Sequence, residues 1–294
     1  MNPTYYLLDV FTDELFGGNQ LAVIPDASHI NPDLFQKIAG EFNLSETVFL
    51  FPPDKLGDGY SMRIFTPKVE LPTAGHPTIG TAYYLASQNE GVLEIELIQK
   101  VGKIKVTIDY ENDKVGTINM FQPLPTFGQL FENRSEIANM VSLEESDLDN
   151  LPIQAISCGN EFLFIPVKSV QTLSRAKVDT AKWEQMRDSF GKTELYVFSI
   201  NKVEGGQVRG RMFAPGIGIT EDPATGSANG PLACYLNRYT ELTFPITSLQ
   251  GFEMGRPSHL FLDVKKDENG EINEVKVGGK SKFVGKGELF LNRE

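Results

Sequence analysis

Two stretches of the chain are apolar or small all round, with no polar face to turn toward water. Residues 71–85 and 221–236 each open on a glycine-bearing turn and run directly into such sequence. Both are predicted as buried helices whose N-terminal ends are exposed. Around them the pattern is mostly that of strands. Aromatic and branched residues predict strands over 5–11, 17–24, 46–51 and 60–66, and alternation continues over 92–97, 102–110 and 115–121. Asn31-Pro32 starts a helix reaching to about residue 42, with Pro at the first position, where its missing N–H is not needed. Two prolines at alternate positions in 122–126 break regular structure and mark a domain boundary. Beyond it we expect a short helix over 136–141, an acidic one over 143–148 and an outer helix over 180–190 around Trp183. Strands are expected over 151–156, 161–167, 195–200 and 208–213. The end of the chain reads as an Asn-Gly hairpin turn at 265–270, then strands over 275–279, 282–284 and 288–291.

The second half echoes the first. A shift of 151 places Gly75 on Gly226, Thr73 on Ala224, Ala82 on Ala233, Tyr84 on Tyr235 and Leu85 on Leu236. Upstream, Arg63-Ile-Phe65-Thr-Pro67 falls on Arg211-Met-Phe213-Ala-Pro215 at a shift of 148, so the second copy is three residues longer around Asp222. A third match, Gly18-Asn19 through Ile24-Pro25 on Gly159-Asn160 through Ile165-Pro166, has a shift of 141. Three ordered matches imply a duplication into two similar lobes, too few copies for a solenoid. A cleft between such lobes is the natural binding place. The length of 294 residues suits two domains of about 130 to 150 residues each.

Composition narrows the function. Hydrophobic content of 40% marks a globular chain. The net charge is −12, from 39 acidic and 27 basic residues with no Lys/Arg run. Binding a phosphate backbone needs clustered positive charge, so nucleic acid is not an expected partner. A small anionic substrate stays open, provided local amides hold it. Two cysteines, Cys158 and Cys234, are too few for a disulfide scaffold, so a reduced cytoplasmic setting is expected. The first residues lack the basic and apolar regions of a signal peptide, and no window approaches the roughly 20 apolar residues of a membrane helix.

Three positions carry candidate chemistry. Glu46 stands at a loop-to-strand junction just before a run of apolar and branched residues. There a carboxylate loses water, which suits a general base, although a solvated strand-end glutamate fits the same pattern. His76 lies at the cap of the first buried helix, either as a proton-carrying group at a ligand or as a capping imidazole. Asp222 precedes the second buried helix, as a simple cap or as a carboxylate that the first lobe lacks. His29, His76 and His259 form no His-x-x-x-His pair and have no cysteine beside them, so no built-in zinc site is expected. No Gly-x-Gly-x-x-Gly opens a helix and no phosphate-loop lysine occurs, so a nucleotide cofactor has no support.

Five motifs together resemble a known family. Asn19 within Gly-Gly-Asn-Gln-Leu-Ala-Val, Leu44-Ser-Glu-Thr-Val-Phe49, Arg63-Ile-Phe-Thr-Pro67, Thr73-Ala-Gly-His-Pro77 and Glu221-Asp-Pro-Ala-Thr-Gly-Ser227 are similar to the signature set of the PhzF-like isomerases of phenazine biosynthesis. The resemblance implies the α+β diaminopimelate epimerase fold, with two pseudo-symmetric lobes, each a curved sheet around a central helix. It places an N-terminal lobe at 1–124, to which a strand at about 287–294 returns, and its duplicate at 125–286. It implies a homodimer that needs no cofactor, and Glu46 as the catalytic glutamate, with His76, Asp222 and Ser227 around it. Diaminopimelate epimerase and proline racemase carry a thiol in each helix-opening turn. Here Ala74 and Thr225 stand in those places, which argues against a two-thiol racemase. The expected function is a cofactor-independent isomerase moving a proton on a small carboxylic acid. Glu46, Asp222 and His76 would act on the proton, and Gly75, Gly226, Ser227 and Asn19 would bind the substrate. The alternatives are a non-catalytic small-anion binding protein and a scaffold with a vestigial cleft.

Overall fold

The structure is a computed structural model and describes residues 2–53, 59–190, 193–200 and 208–291. The chain divides into two compact units, residues 1–121 with 278–294, and residues 122–277. The first contains β1 (Thr4–Val10), β2 (Asn19–Ile24), α1 (Phe35–Phe42), β3 (Glu46–Phe51), β4 (Tyr60–Phe65), β5 (Glu70–Leu71), α2 (Gly75–Gln88), β6 (Glu94–Gln99), β7 (Gly102–Glu111) and β8 (Lys114–Gln122). The second begins with β9 (Thr126–Leu130), α3 (Arg134–Met140), β10 (Gln154–Ser157), β11 (Glu161–Pro166), α4 (Val170–Arg175) and α5 (Thr180–Phe190). It continues with β12 (Glu194–Ser199), β13 (Val208–Ala214), β14 (Ile219–Asp222), α6 (Gly226–Tyr239), β15 (Ile246–Gln250), β16 (Ser258–Lys266) and β17 (Ile272–Gly279). Last comes β18 (Ser281–Glu288), which returns to the first unit and pairs antiparallel with β1.

The duplication is visible strand by strand. In the first unit the pairing runs β18, β1, β2, β3, β4, β6, β7, with β2–β3 and β4–β6 parallel and the rest antiparallel. In the second it runs β9, β10, β11, β12, β13, β15, β16, with β11–β12 and β13–β15 parallel. β5 and β14 fold back on β4 and β13 in the same place. β18 thus fills in one unit the position that β9 fills in the other.

Each curved sheet surrounds one helix. α2 touches β1, β2, β3, β6, β7 and β18, and eleven of its residues are buried. α6 touches β10, β11 and β16, and ten of its residues are buried. A helix with so little polar surface is held by packing, not by its own propensity. The outer face of the first sheet is covered by α1, where Phe35 stacks on Phe49 at 4.2 Å and Phe49 meets Phe65 edge-on at 5.4 Å. Each such ring contributes about 1.5–3 kcal/mol by burial. The outer face of the second is covered by Ile137, Met140, Leu173 and Trp183, from α3, α4 and α5.

The expectations fail where tertiary pairing overrides local pattern. The acidic helix expected over 143–148 is a single 3-10 turn, Glu145–Asp147, because Asp147 and Glu144 cap each other's backbone while Leu143 and Leu148 go inside. The two strands expected over 282–284 and 288–291 are one strand, β18, which ends at Glu288. Gly287 sustains it, since a Cβ there would lie 2.5 Å from the Tyr5 ring. β9, β15, β16 and α4 lie where no element was predicted. The returning segment begins at Gly278 instead of near 287, and residues 292–294 lie outside the described residues.

An arginine–glutamate pair recurs in both units. Arg63 holds Glu70 through Nε and an Nη at 2.7 and 2.9 Å, and Arg211 holds Glu221 in the same fork at 2.8 and 2.7 Å. The Arg63 hydrogen bonds hold Glu70 below the usual carboxylate range. The twins differ in burial: the paired side chains are 38% and 29% exposed in the first unit but 7% and 14% in the second. Arg211 also donates to the carbonyls of Leu173, Ser174 and Ala176. Removing it strands a mostly buried carboxylate, two buried carbonyls and a partly buried one. Arg211→Ala is expected to cost about 3–5 kcal/mol and Arg63→Ala about 1 kcal/mol or less. Urea unfolding of the two variants checks this, and equal costs would contradict it.

Candidate active site

In the first unit the chain brings Glu46, His76 and Asn19 together. Glu46 is the first residue of β3, paired in register beside Leu21 of β2, and is 8% exposed. His76 is the second residue of α2 and 4% exposed, and Asn19 opens β2 and is fully buried. His76 Nε2 lies 3.0 Å from Glu46 Oε2, close but imperfectly aligned for a hydrogen bond. On the other side of the ring, Asn19 Nδ2 lies 3.2 Å from His76 Nδ1. With the amide nitrogen facing Nδ1, that nitrogen accepts, and the neutral ring carries its proton on Nε2, toward Glu46.

The N-terminus of α2 has no side-chain cap. Ala74 occupies the cap position in extended geometry, and Pro77 lacks an N–H. Thr78 Oγ1 turns back to the Ala74 carbonyl at 2.7 Å. The amides of the first turn and the helix dipole therefore offer partial positive charge beside Glu46 and His76.

The second unit builds a counterpart from different residues. Asp222 ends β14, Thr225 occupies the cap position of α6, and Gly226 and the half-buried Ser227 are its first two residues. No side chain caps this helix either. Thr225 Oγ1 donates to Asp222 Oδ2 at 2.6 Å. Pro231, inside α6, removes the N–H that would have bonded the Ser227 carbonyl. Glu194 stands beside Phe162 in the same register as Glu46 beside Leu21, so the second unit has a glutamate in the equivalent strand position but a serine opposite His76.

Two buried glutamines escaped the reading of the sequence. Gln99, at the end of β6, donates to Thr78 Oγ1 at 2.6 Å and accepts from Thr73 Oγ1 at 2.7 Å. Gln250, at the end of β15, binds the cap residues of α6, and Asn229 Nδ2 donates to the Thr225 carbonyl at 2.9 Å. Gln99 and Gln250 are related by the same shift of 151 as Gly75 and Gly226, which is the signal that finds them. Tyr196 lies within this polar cluster, and burial pushes its hydroxyl up to about 12, so it remains a neutral phenol.

The cysteines lie elsewhere. Cys158 and Cys234 meet at 3.9 Å between sulfurs, both buried in the second unit. Their mutual contact and burial raise the Cys158 thiol, the opposite of what activates a nucleophile. Among the described residues no cluster of three or more His, Cys, Asp or Glu side chains is arranged for a metal, and no helix is long and apolar enough to cross a membrane.

The fold has the diaminopimelate epimerase-like architecture. A hydroxyproline epimerase from Agrobacterium vitis superposes with a TM-score of 0.63 at 10% identity over 99% of this chain and 93% of its own, a likeness of fold alone. The family model for phenazine biosynthesis-like proteins, PhzC-PhzF, matches residues 8–287, and the chain belongs to that family. A trans-2,3-dihydro-3-hydroxyanthranilate isomerase from Pseudomonas fluorescens is 35% identical over 291 residues, covering 98% of this chain and 99% of its own. An uncharacterised isomerase from Clostridium acetobutylicum is also 35% identical, covering 98% of each. The crystal structure of a PhzF-family protein from Bacillus anthracis has a TM-score of 0.90 and 26% identity, covering 99% of this chain and all of its own.

The assignment of the imidazole proton is open to direct measurement. Long-range 1H–15N spectra of the wild type are expected to show His76 Nδ1 unprotonated and Nε2 protonated. Asn19→Asp sets a second carboxylate against the ring, which favours the imidazolium and moves its loss of a proton to higher pH by about one unit or more. A proton found on Nδ1 in the wild type would contradict the tautomer assigned here.

Proposed function

We propose that the protein moves a proton between carbon atoms of a small carboxylic acid, with Glu46 as the general acid/base. The observation that supports this most is the contact of Glu46 Oε2 with His76 Nε2 at 3.0 Å, in a buried setting at an uncapped helix N-terminus. A carboxylate takes a proton from carbon only where the resulting charge is stabilised. The amides near Gly75 and His76 are suited to that charge, and Asn19 keeps the His76 proton directed at Glu46. His76 then donates to the carboxylate or to a substrate oxygen as the proton moves.

Asp222, Gly226 and Ser227 of the second unit are proposed, on the family resemblance, as a proton acceptor and as carboxylate-binding amides and hydroxyl. The reaction so described uses side chains and amides alone and calls for no cofactor. The reading takes the protein as a homodimer, as the family resemblance implies, in the reduced cytoplasmic setting that its two cysteines suggest. It stops at the class of substrate, since a named and an uncharacterised isomerase share the same 35% identity with this chain. Trans-2,3-dihydro-3-hydroxyanthranilate, the compound in the name of the Pseudomonas relative, is the first acid to assay.

The experiment is deuterium incorporation at carbon, followed by NMR in heavy water. Wild type is expected to exchange a carbon-bound proton of the acid, and Glu46→Gln to lose about 10²–10⁴-fold of that rate. Equal exchange by both proteins would remove Glu46 from the reaction. Tight binding with no exchange would instead favour a non-catalytic anion-binding role.

A further inference from the structure

Gln250 is fully buried at the end of β15 and sits under the turn that joins Asp222 to α6. Its Nε2 donates to the Asp222 carbonyl at 2.8 Å and to Thr225 Oγ1 at 2.9 Å. Its Oε1 accepts from the Thr225 backbone N–H at 3.1 Å and from Asn229 Nδ2 at 3.3 Å, with the Tyr196 hydroxyl at 3.4 Å. Two of these partners are main-chain groups of fixed polarity: a carbonyl can only accept and an N–H can only donate. They leave the amide one orientation.

That orientation decides the next bond. The Thr225 hydroxyl has one proton, and the Gln250 N–H occupies one of its lone pairs. The proton is left for Asp222 Oδ2, 2.6 Å away. We propose that Gln250 is a positioning residue for the reaction: it directs the Thr225 hydroxyl and so holds Asp222 as an oriented, proton-accepting carboxylate. Gln99 marks the contrast. It holds the first-unit helix in the matching place, but Ala74 stands where Thr225 would be, so no hydroxyl leads from it to an acid. The symmetric part of the design is structural, and the added hydroxyl–carboxylate pair makes the second unit's copy a proton-orienting device. The consequence for turnover rests on Asp222 acting on the substrate, as proposed above; its consequence for the carboxyl group does not.

The test is the titration of the Asp222 carboxyl by 13C NMR, alongside the pH dependence of kcat/KM on trans-2,3-dihydro-3-hydroxyanthranilate. Once ionised, Gln250→Glu cannot donate to Thr225, turns the hydroxyl away from Asp222 and adds like charge. The Asp222 midpoint is expected to rise by about one pH unit or more, a roughly tenfold gain in proton affinity, and the acidic limb of kcat/KM to rise with it. Thr225→Val is expected to move both in the same direction, and Thr225→Ser to restore them. Gln99→Glu, a matched buried change, leaves the Asp222 midpoint in place. An unmoved midpoint in Gln250→Glu, or in Thr225→Val should the former not fold, overturns the proposal. If Asp222→Asn turns over like wild type, the catalytic assignment of Asp222 fails while the carboxyl titration still decides the role of Gln250.

Discussion

A helix buried on all sides must dispose of its ends, and this is the constraint on which each unit depends. α2 and α6 bring first-turn amides into regions where water cannot freely solvate them, and neither has a side-chain cap. An uncapped end is a cost for stability and an opportunity for binding, because the N–H groups and the dipole are left to serve an anion. The turn must then be held by other means. Buried Gln99 and Gln250 do this from one side, and the Arg63–Glu70 and Arg211–Glu221 pairs brace the preceding strands.

Comparison of the two units separates scaffold from chemistry. What is repeated at the same place, the arginine–glutamate forks and the glutamines, holds the turns. The strand glutamates Glu46 and Glu194 recur as well, but their partners do not. His76 faces Glu46 in one unit where Ser227 stands in the other, and Thr225 with Asp222 in the second replaces Ala74 in the first. Duplication supplied two equivalent helix ends, and divergence equipped one with an imidazole–carboxylate pair and the other with a hydroxyl–carboxylate pair.

The helix-cap positions and the cysteines part company in this chain. In the thiol-dependent relatives to which the resemblance extends, the cap positions bear sulfur. Here they hold Ala74 and Thr225, while the two cysteines of the chain are packed against each other in the core of the second unit. A thiol made less acidic by contact and burial adds to packing and not to reactivity. In the function proposed above, the acid/base work falls to carboxylates, whose environment is set by what surrounds them.

The duplication, the two buried helices and the candidate residues Glu46, His76 and Asp222 were legible in the chain, because each is written in a short run of residues or in a fixed shift between halves. The return of β18 to β1, the strands β9, β15 and β16, and the dissolution of the expected helix at 143–148 were not. Those depend on edges and partners more than a hundred residues away or on a single local cap, which periodicity does not encode. The pairing of Glu46 with His76, the tautomer imposed by Asn19 and the glutamines under the helix turns belong to the tertiary structure as well. Sequence spacing can bring polar groups to a helix end, but only the fold sets the angles at which one group must donate and the next accept.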